Sequence, residues 1–154
     1  MLKEDYMNLG VAEATVTMVQ NIGGPFGAVI VKDNEIISVA SNTVLKDNDP
    51  TAHAEMNAIR QACKKLGTYD LTGCELYATG YPCPMCLSAI IWANIKKVYF
   101  CNDVDQAEKI GFRDDFIYNY IKNGDPGILD LESCATSRGL ALYEVYKNLG
   151  KTIY

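Results

Sequence analysis

The feature that most constrains the fold is an alternation of strand-like and helix-like segments that opens with a hairpin pattern. Residues 27–31 and 35–40 are rich in β-branched side chains and flank a short polar turn at residues 32–34. Two such runs around a short turn predict an antiparallel hairpin. Apolar residues then recur at helical spacing from residue 51 to residue 66, which predicts an amphipathic helix after the hairpin.

The same alternation continues through the middle of the chain. Residues 74–79 and 97–101 predict strands, and the apolar stretch 84–94 between them predicts a helix. A further helix is expected before the hairpin at residues 4–21, because the Gly-Gly-Pro sequence at residues 23–25 stops it. Strands and helices in this order imply a mixed sheet covered by helices. We therefore predict an α/β fold, a layered α-β-α sandwich.

The length and composition of the chain predict one domain. A chain of 154 residues with 49% hydrophobic content can bury one core, so residues 1–154 are expected to form a single domain. Beyond residue 102, helices are expected at residues 114–122 and 137–149, with a break at 123–127. No stretch approaches the roughly 20 consecutive apolar residues of a membrane-spanning helix. The N-terminus lacks the basic leader and apolar run of a secretory signal, so a cytoplasmic location is expected.

The charge balance argues against a polynucleotide partner. The net charge is −5, the isoelectric point is near 4.8, and the lysines are scattered along the chain. A protein that binds nucleic acid normally presents enough clustered Lys and Arg to displace counterions from the phosphates. We therefore expect a small-molecule partner rather than a nucleic acid.

Three candidate metal ligands and one carboxylate stand in two short motifs. The first is His53-Ala54-Glu55, which contains the only histidine of the chain, and the second is Pro82-Cys83-Pro84-Met85-Cys86. The spacing of the two cysteines lets both thiolates converge on one ion. Each motif lies where a predicted helix begins, and the partial positive charge of a helix N-terminus favours thiolate over thiol.

His53, Cys83 and Cys86 together make the ligand set of a catalytic zinc site, because three protein ligands leave the fourth position open for water. Glu55 is then the group that moves protons between that water and the substrate. A histidine, a glutamate two residues later and a downstream Pro-Cys-x-x-Cys form the signature of zinc deaminases. One zinc ion per chain is expected. The alternatives are a structural zinc site, which usually has four protein ligands, and buried side chains without a metal.

With these motifs, the chain resembles the cytidine deaminase superfamily, and within it the small bacterial guanine deaminases. The similarity extends over nearly the whole length and includes Gly23-Gly24-Pro25-Phe26-Gly27-Ala28, Asn48-Asp49-Pro50-Thr51, Ile91-Trp92-Ala93, Gly111-Phe112, Phe116-Ile117-Tyr118 and a terminal tyrosine. The resemblance implies a five-stranded mixed sheet and hydrolysis of guanine to xanthine and ammonia, a reaction of purine metabolism. It also implies a homodimer in which residues from about 125 to 154 are exchanged and help to close the partner's site.

The same resemblance implies roles for residues outside the zinc motifs. Asn42 matches an asparagine that hydrogen-bonds the purine edge, and Asp114 matches an acidic residue that holds the exocyclic amine and assists proton transfer. Locally, Asn42 is also typical of a turn at a strand end and Asp114 of a helix N-cap, so both interpretations stay open. The family's base pocket has aromatic or apolar walls, and these positions match Phe26, Trp92 and Phe112. The family's C-terminal tyrosine, which reaches into the pocket, matches Tyr154.

One position departs from the family pattern. Tyr81 precedes Pro82, where the family carries glutamate. That glutamate is not a zinc ligand, so its replacement leaves the zinc chemistry intact. The tyrosine instead bears on how the loop or the pocket is supported, and on which ring the pocket accepts.

Other functions fit the zinc motifs as well. A tRNA-editing adenosine deaminase shares them but should carry basic residues in its last helix, whereas residues 125–154 contain three basic and four acidic residues. Deamination of cytosine, cytidine or another aminoheterocycle such as a triazine also remains open. From a different class, an inactive zinc-binding interaction protein could keep the same fold, although Glu55 argues against it.

Overall fold

The computed structural model describes every residue, 1–154, and divides into two units, Met1–Tyr118 and Asn119–Tyr154. The helices and strands follow in the order α1 (Lys3–Val19), β1 (Gly27–Lys32), β2 (Glu35–Ser41), α2 (Val44–Asp47), α3 (Ala54–Leu66), β3 (Cys74–Gly80), α4 (Pro84–Trp92), β4 (Lys97–Asn102), α5 (Val104–Lys109), α6 (Asp115–Asn123) and α7 (Ser137–Leu149). Each predicted strand and helix is confirmed within a few residues, and the short helices α2 and α5 are additional. None of the helices has both the length and the apolar character that a membrane span requires.

The sheet is mixed, as predicted, and has the strand order β2-β1-β3-β4. Strand β1 pairs antiparallel with both β2 and β3, whereas β3 and β4 are parallel and are connected by α4. The sheet has four strands rather than the five that the resemblance implied. The reason is that β4 lies at the edge of the sheet and the chain beyond Asn102 contributes helices and loops but no strand.

Helices cover both faces of the sheet because the side chains of β1 alternate between two cores. Ala28 and Ile30 belong to the larger core, which includes the alanines of α3 at positions 54, 58 and 62. Val29 and Val31 point to the opposite face, where Tyr6 of α1 packs with them. This arrangement confirms the three-layer α-β-α sandwich.

Small side chains on one face of α3 let the helix lie close to the sheet along its length. Ala54, Ala58 and Ala62 are completely buried, and a one-turn spacing places them on the same face of the helix. The first of these alanines follows His53 directly. The packing of α3 against the sheet therefore fixes the position of His53 at the start of the helix.

The second unit contains α7, which has a clear beginning and end. The Thr136 hydroxyl oxygen accepts a hydrogen bond from the Gly139 N–H at 3.0 Å, and Gly150 ends the helix in the left-handed conformation with φ 63°. No residue of this helix is buried. Its exposed large apolar side chains are Leu140, Leu142, Tyr143, Val145, Tyr146 and Leu149.

Candidate active site

His53 and Cys83 occupy the same structural position at the start of two different helices. His53 is the N-cap residue of α3 and Cys83 is the N-cap residue of α4, and both have extended backbone conformations. Pro84 follows Cys83 as the first residue of α4, where its missing N–H costs no helical hydrogen bond. The helix predicted from residue 51 thus begins at Ala54, with His53 just outside it.

The three predicted ligands lie together. The His53 Nδ1 atom is 3.6 Å from the Cys83 Sγ and 3.6 Å from the Cys86 Sγ. Zinc bonds of about 2.0 Å to nitrogen and about 2.3 Å to sulfur, at the tetrahedral angle, separate such a nitrogen and sulfur by about 3.5 Å. All three ligand atoms lie within 4.8 Å of one another. This donor set therefore fits one tetrahedral zinc ion.

The two thiols differ in acidity because they share one hydrogen bond. Cys86 and His53 hydrogen-bond the Cys83 sulfur and hold the pKa of the Cys83 thiol below its usual range. The same contact, together with burial, raises the pKa of Cys86. The hydrogen bond that His53 donates to the Cys83 sulfur raises the pKa of His53. Cys83 is therefore the more acidic of the two thiols, and thiolate is the form in which cysteine binds a metal.

Glu55 is a buried carboxylate beside the ligand set. It lies in the first turn of α3, is only 7% exposed and lines the same cavity as His53 and Cys83. Burial raises the pKa of Glu55. A buried carboxyl group with a raised pKa holds a proton more readily than an exposed one, which suits a residue that accepts and returns protons.

A cavity of about 620 Å³ opens next to these residues, and the first unit supplies its whole lining. Phe26 and Phe112 meet edge to face on its wall, with ring centroids 5.0 Å apart and an interplanar angle of 86°. The remaining walls are mostly apolar and include Val44, Leu45, Met85, Val104, Ala107 and Ile117. A flat ring would be stacked and shielded from water there.

Asn42 lines the cavity, and a hydrogen bond fixes the orientation of its side-chain amide. The residue is 5% exposed, and its side-chain oxygen accepts a hydrogen bond from the Val44 N–H at 3.0 Å. The Asn42 N–H donates to the Phe26 carbonyl oxygen, also at 3.0 Å. Because the side-chain oxygen is engaged by the backbone, the amide nitrogen is the group left to donate to a bound molecule.

Asp114 also lines the cavity and immediately precedes α6. Its carbonyl oxygen accepts hydrogen bonds from the N–H groups of Ile117 and Tyr118, so the residue both opens the helix and faces the cavity. Burial, and then the nearby Cys83, raise the pKa of the Asp114 carboxyl. Glu55 and Asp114 thus provide two carboxyl groups on the wall of one cavity.

Trp92 and Tyr154 are not among the residues that line this cavity. Trp92 is the last residue of α4, and its side chain is 70% exposed. Tyr154 belongs to the second unit, and the lining residues all come from the first. The assignments of Trp92 and Tyr154 to the substrate site stay predictions.

Two residues that line the cavity were absent from the predicted site residues, although the sequence connects Tyr81 with the support of the pocket. Tyr81 lines it, and the ring of Tyr81 meets Phe100 edge to face at 5.0 Å. Arg113 also lines it, with its guanidinium paired to Asp115 at 2.8 Å. The available signals in the sequence were that Tyr81 directly precedes Pro82 and that Arg113 directly precedes Asp114.

The sequence matches a known family over most of its length. Residues 2–102 match the cytidine and deoxycytidylate deaminase zinc-binding region. The guanine deaminase of Bacillus subtilis (strain 168) is 43% identical over 149 residues, which cover 96% of either chain. The X-ray structure of guanine deaminase from Bacillus subtilis superimposes with a TM-score of 0.94 at 41% identity, over 100% of this chain and 99% of the other.

A second group of relatives is similar over a shorter region. The tRNA-specific adenosine deaminase of Aquifex aeolicus is 57% identical over 76 residues, which make up 49% of this chain and 50% of that protein. The high identity over half of each chain contrasts with the match to the Bacillus subtilis protein, which continues through both chains.

Proposed function

The chain belongs to the cytidine and deoxycytidylate deaminase family, and from this premise we propose that it is a zinc-dependent hydrolase that converts guanine and water to xanthine and ammonia. The observation that carries the proposal is a 43% identity to a guanine deaminase that extends over 96% of the chain. The residues around the cavity support it. We further place the enzyme in purine metabolism in the cytoplasm.

The metal set is His53, Cys83 and Cys86, whose mutual distances fit one zinc ion. When bound there, zinc supplies a water molecule acidified toward a pKa of about 7, so that a nucleophile is available at neutral pH. Three protein ligands leave room for that water, whereas a structural site has four. The zinc stoichiometry that follows is one ion per chain.

Glu55 carries the protons. Its buried carboxylate accepts a proton from the water and delivers it to the ring nitrogen beside the carbon under attack. A carbon–oxygen bond forms at that carbon, and the carbon–nitrogen bond to the exocyclic amine then breaks. Glu55 then takes the second proton from the newly attached hydroxyl group and gives it to the departing amine, so that a carbonyl group forms and the amine leaves as ammonia. One water is consumed for each guanine.

The remaining polar groups orient the base. The Asn42 amide nitrogen donates to an acceptor on the ring edge, since its oxygen is already bonded to the Val44 N–H. The Asp114 carboxylate accepts from the exocyclic amine and a ring N–H, which guanine presents side by side. Phe26 and Phe112 hold the ring plane. Together these contacts match a neutral, flat, amino-substituted ring.

The charge of the cavity favours a free base over a polynucleotide. Its one cationic lining residue is Arg113, which is already paired with Asp115 at 2.8 Å and lies 3.9 Å from Glu108. No free cation therefore faces a phosphate at the cavity wall. A tRNA substrate would need such charges along the strand.

A screen for ammonia release tests the substrate. The purified, zinc-loaded protein is incubated separately with guanine, adenine, cytosine, cytidine and an aminotriazine, and the zinc content is measured in the same sample. We expect ammonia from guanine and about one zinc per chain. Release from cytidine with none from guanine would reject guanine and leave the zinc chemistry standing. Absence of release from every ring would instead favour the inactive interaction protein.

We also propose that two chains form a dimer in which the C-terminal segments, from about residue 125 to residue 154, are exchanged. The support is a helix α7 without a single buried residue, which carries Leu140, Tyr143 and Leu149 on its surface. Exposed apolar side chains in such number are typical of a surface that another chain covers. In this dimer Tyr154 of each subunit closes the partner's cavity.

Mixed dimers test the exchange. One subunit carries Glu55→Gln and an intact C-terminus, and the other retains Glu55 but lacks Tyr154. With exchange, the intact Glu55 site receives a complete C-terminus from its partner, so the doubly tagged mixed dimer is more active than either parent. Equal activity per intact Glu55 site in the mixed dimer and the truncated parent would exclude the exchange, and a monomer in light scattering would exclude the dimer.

A further inference from the structure

Asn57 lies one turn into α3, and its side-chain amide joins two loops that carry site residues. The amide nitrogen is 2.9 Å from the Ser41 carbonyl oxygen, 2.9 Å from the Thr43 hydroxyl oxygen and 3.4 Å from the Ala52 carbonyl oxygen. These acceptors come from the end of β2 and from the loop before α3. A single side chain thus bonds to two segments that are distant in sequence.

The two acceptors from the end of β2 lie on either side of Asn42. Ser41 precedes it and Thr43 follows it, so the Asn57 amide bonds to both neighbours of Asn42, to the backbone of Ser41 and to the side chain of Thr43. The Thr43 hydroxyl donates its own proton to Asp47 at 2.6 Å and uses a lone pair to accept from Asn57. The short run around Asn42 is therefore anchored to α3 rather than to the sheet alone.

The same residue is connected to the metal ligand at the start of α3. The Asn57 N–H donates to the His53 carbonyl oxygen at 2.9 Å, and the Asn57 side chain reaches Ala52, the residue before His53. The Thr43 N–H also donates to the Ala52 carbonyl oxygen at 2.9 Å. The loop that bears Asn42 and the loop that bears His53 are thereby joined at one point.

We propose that Asn57 is a positioning residue that sets the distance between the substrate-binding amide of Asn42 and the metal ligand His53. Asn57 does not line the cavity, so it acts through its neighbours. The inference rests on the proposed function for the role of Asn42. It is independent of which ring the amide binds.

Asn57→Asp is the sharpest substitution because it keeps the shape and removes the donors. A carboxylate at this position would face two carbonyl oxygens, and a hydroxyl oxygen whose proton already goes to Asp47, so the loop around Asn42 would move away. Asn57→Ala removes the donors without adding a charge. It serves as the second variant if the aspartate variant does not accumulate in folded form.

Ser38 provides a matched control in the same pair of elements. Its hydroxyl donates to the Ala58 carbonyl oxygen at 2.9 Å, and this buried bond also connects β2 to α3. It lies one residue farther along α3 and does not bracket Asn42. Ser38→Ala therefore reports what losing a β2–α3 hydrogen bond does to stability alone.

The experiment compares the zinc-loaded wild type with the Asn57→Asp and Ser38→Ala variants on guanine. We expect Asn57→Asp to raise KM about tenfold while kcat changes by less than about threefold and the zinc content stays near one per chain. Amide hydrogen exchange at residues 41–44 should be about tenfold faster in this variant. Ser38→Ala should lower the melting temperature and leave KM and that exchange unchanged.

Two results separate failure of the inference from failure of the proposed function. If both variants lower the melting temperature alike and neither changes KM or exchange at residues 41–44, Asn57 is only structural and the inference is overturned. If the wild type releases no ammonia from guanine, the proposed function fails. The hydrogen-exchange comparison then decides the role of Asn57 without any substrate.

Discussion

Gly23 lies so close to Asn42 that no residue larger than glycine fits at position 23. A Cβ atom added to Gly23 would overlap both the carbonyl oxygen and the side-chain oxygen of Asn42. The side-chain oxygen of Asn42 also accepts a hydrogen bond from the Val44 N–H, which holds the amide in its orientation. The glycine is therefore required by close approach and not by an unusual backbone angle.

Gly23→Ala should weaken substrate binding, because the added methyl group displaces the Asn42 amide. We expect KM for guanine to rise about tenfold and the zinc content to stay near one per chain. Gly10→Ala is the matched control, since a Cβ there would meet its nearest neighbour, the Thr79 methyl carbon, at an ordinary 3.5 Å. An unchanged KM in Gly23→Ala would contradict the role given to Asn42.

Glu55→Gln should abolish turnover without releasing the metal, because the amide cannot accept a proton from water. The expected loss in kcat is about a hundredfold to ten-thousandfold. Activity and zinc content are measured on the same preparation, with Glu35→Gln as a control on an exposed glutamate of β2 that pairs with Lys65 at 3.8 Å. Full activity in Glu55→Gln would refute the mechanism.

Tyr81 should contribute to binding through its ring rather than its hydroxyl group, because the ring lines the cavity and packs against Phe100. Tyr81→Ala is expected to raise KM between about twofold and tenfold, the value of one aromatic contact. Tyr81→Phe keeps the ring and should leave KM within about twofold. A large effect of Tyr81→Phe would instead assign a hydrogen bond to the hydroxyl group.

Tyr77 makes the free energy of unfolding depend on pH in the alkaline range. Burial, with Glu75 nearby, raises the pKa of Tyr77 to about 12 from an ordinary value of 10.0. The folded protein holds this proton more tightly than the unfolded chain, so the stabilisation is complete below pH 10 and is lost as the pH rises toward 12. The loss amounts to about 2 to 3 kcal/mol of unfolding free energy.

Tyr77→Phe should remove that part of the alkaline loss. Urea unfolding at several pH values between 8 and 12 measures it, with Tyr143→Phe on the exposed face of α7 as the control. If the slopes of the Tyr77→Phe variant and the wild type coincide, the tyrosine does not carry this pH dependence.

The sequence predicted most of the sheet and the metal centre. The hairpin, β3 and β4 follow from β-branched composition and short turns, and these are local properties. His53, Cys83 and Cys86 were found by residue type and spacing, because few arrangements of those ligands occur without a metal. In these cases the information lies within short segments.

Other features depend on contacts that no short segment contains. The helix predicted from residue 51 begins three residues later, at residue 54. The reason is that the Thr51 N–H and the Thr51 hydroxyl both donate hydrogen bonds to the Asp49 carboxylate, which holds Thr51 in the preceding loop. The helices α2 and α5 are too short to show a hydrophobic period. The approach of Gly23 to Asn42 and the link through Asn57 join residues far apart in the chain, so only the fold reveals them.

Placing two ligands at helix N-caps also affects how the enzyme can change. His53 and Cys83 are held by the starts of α3 and α4, whereas Asn42 and Asp114 stand in connections outside these helices. With the roles proposed for these residues, reaction type and ring preference are encoded in different parts of the chain. Substitutions in the connections can change which ring is bound, while the residues that carry out the hydrolysis are inherited unchanged.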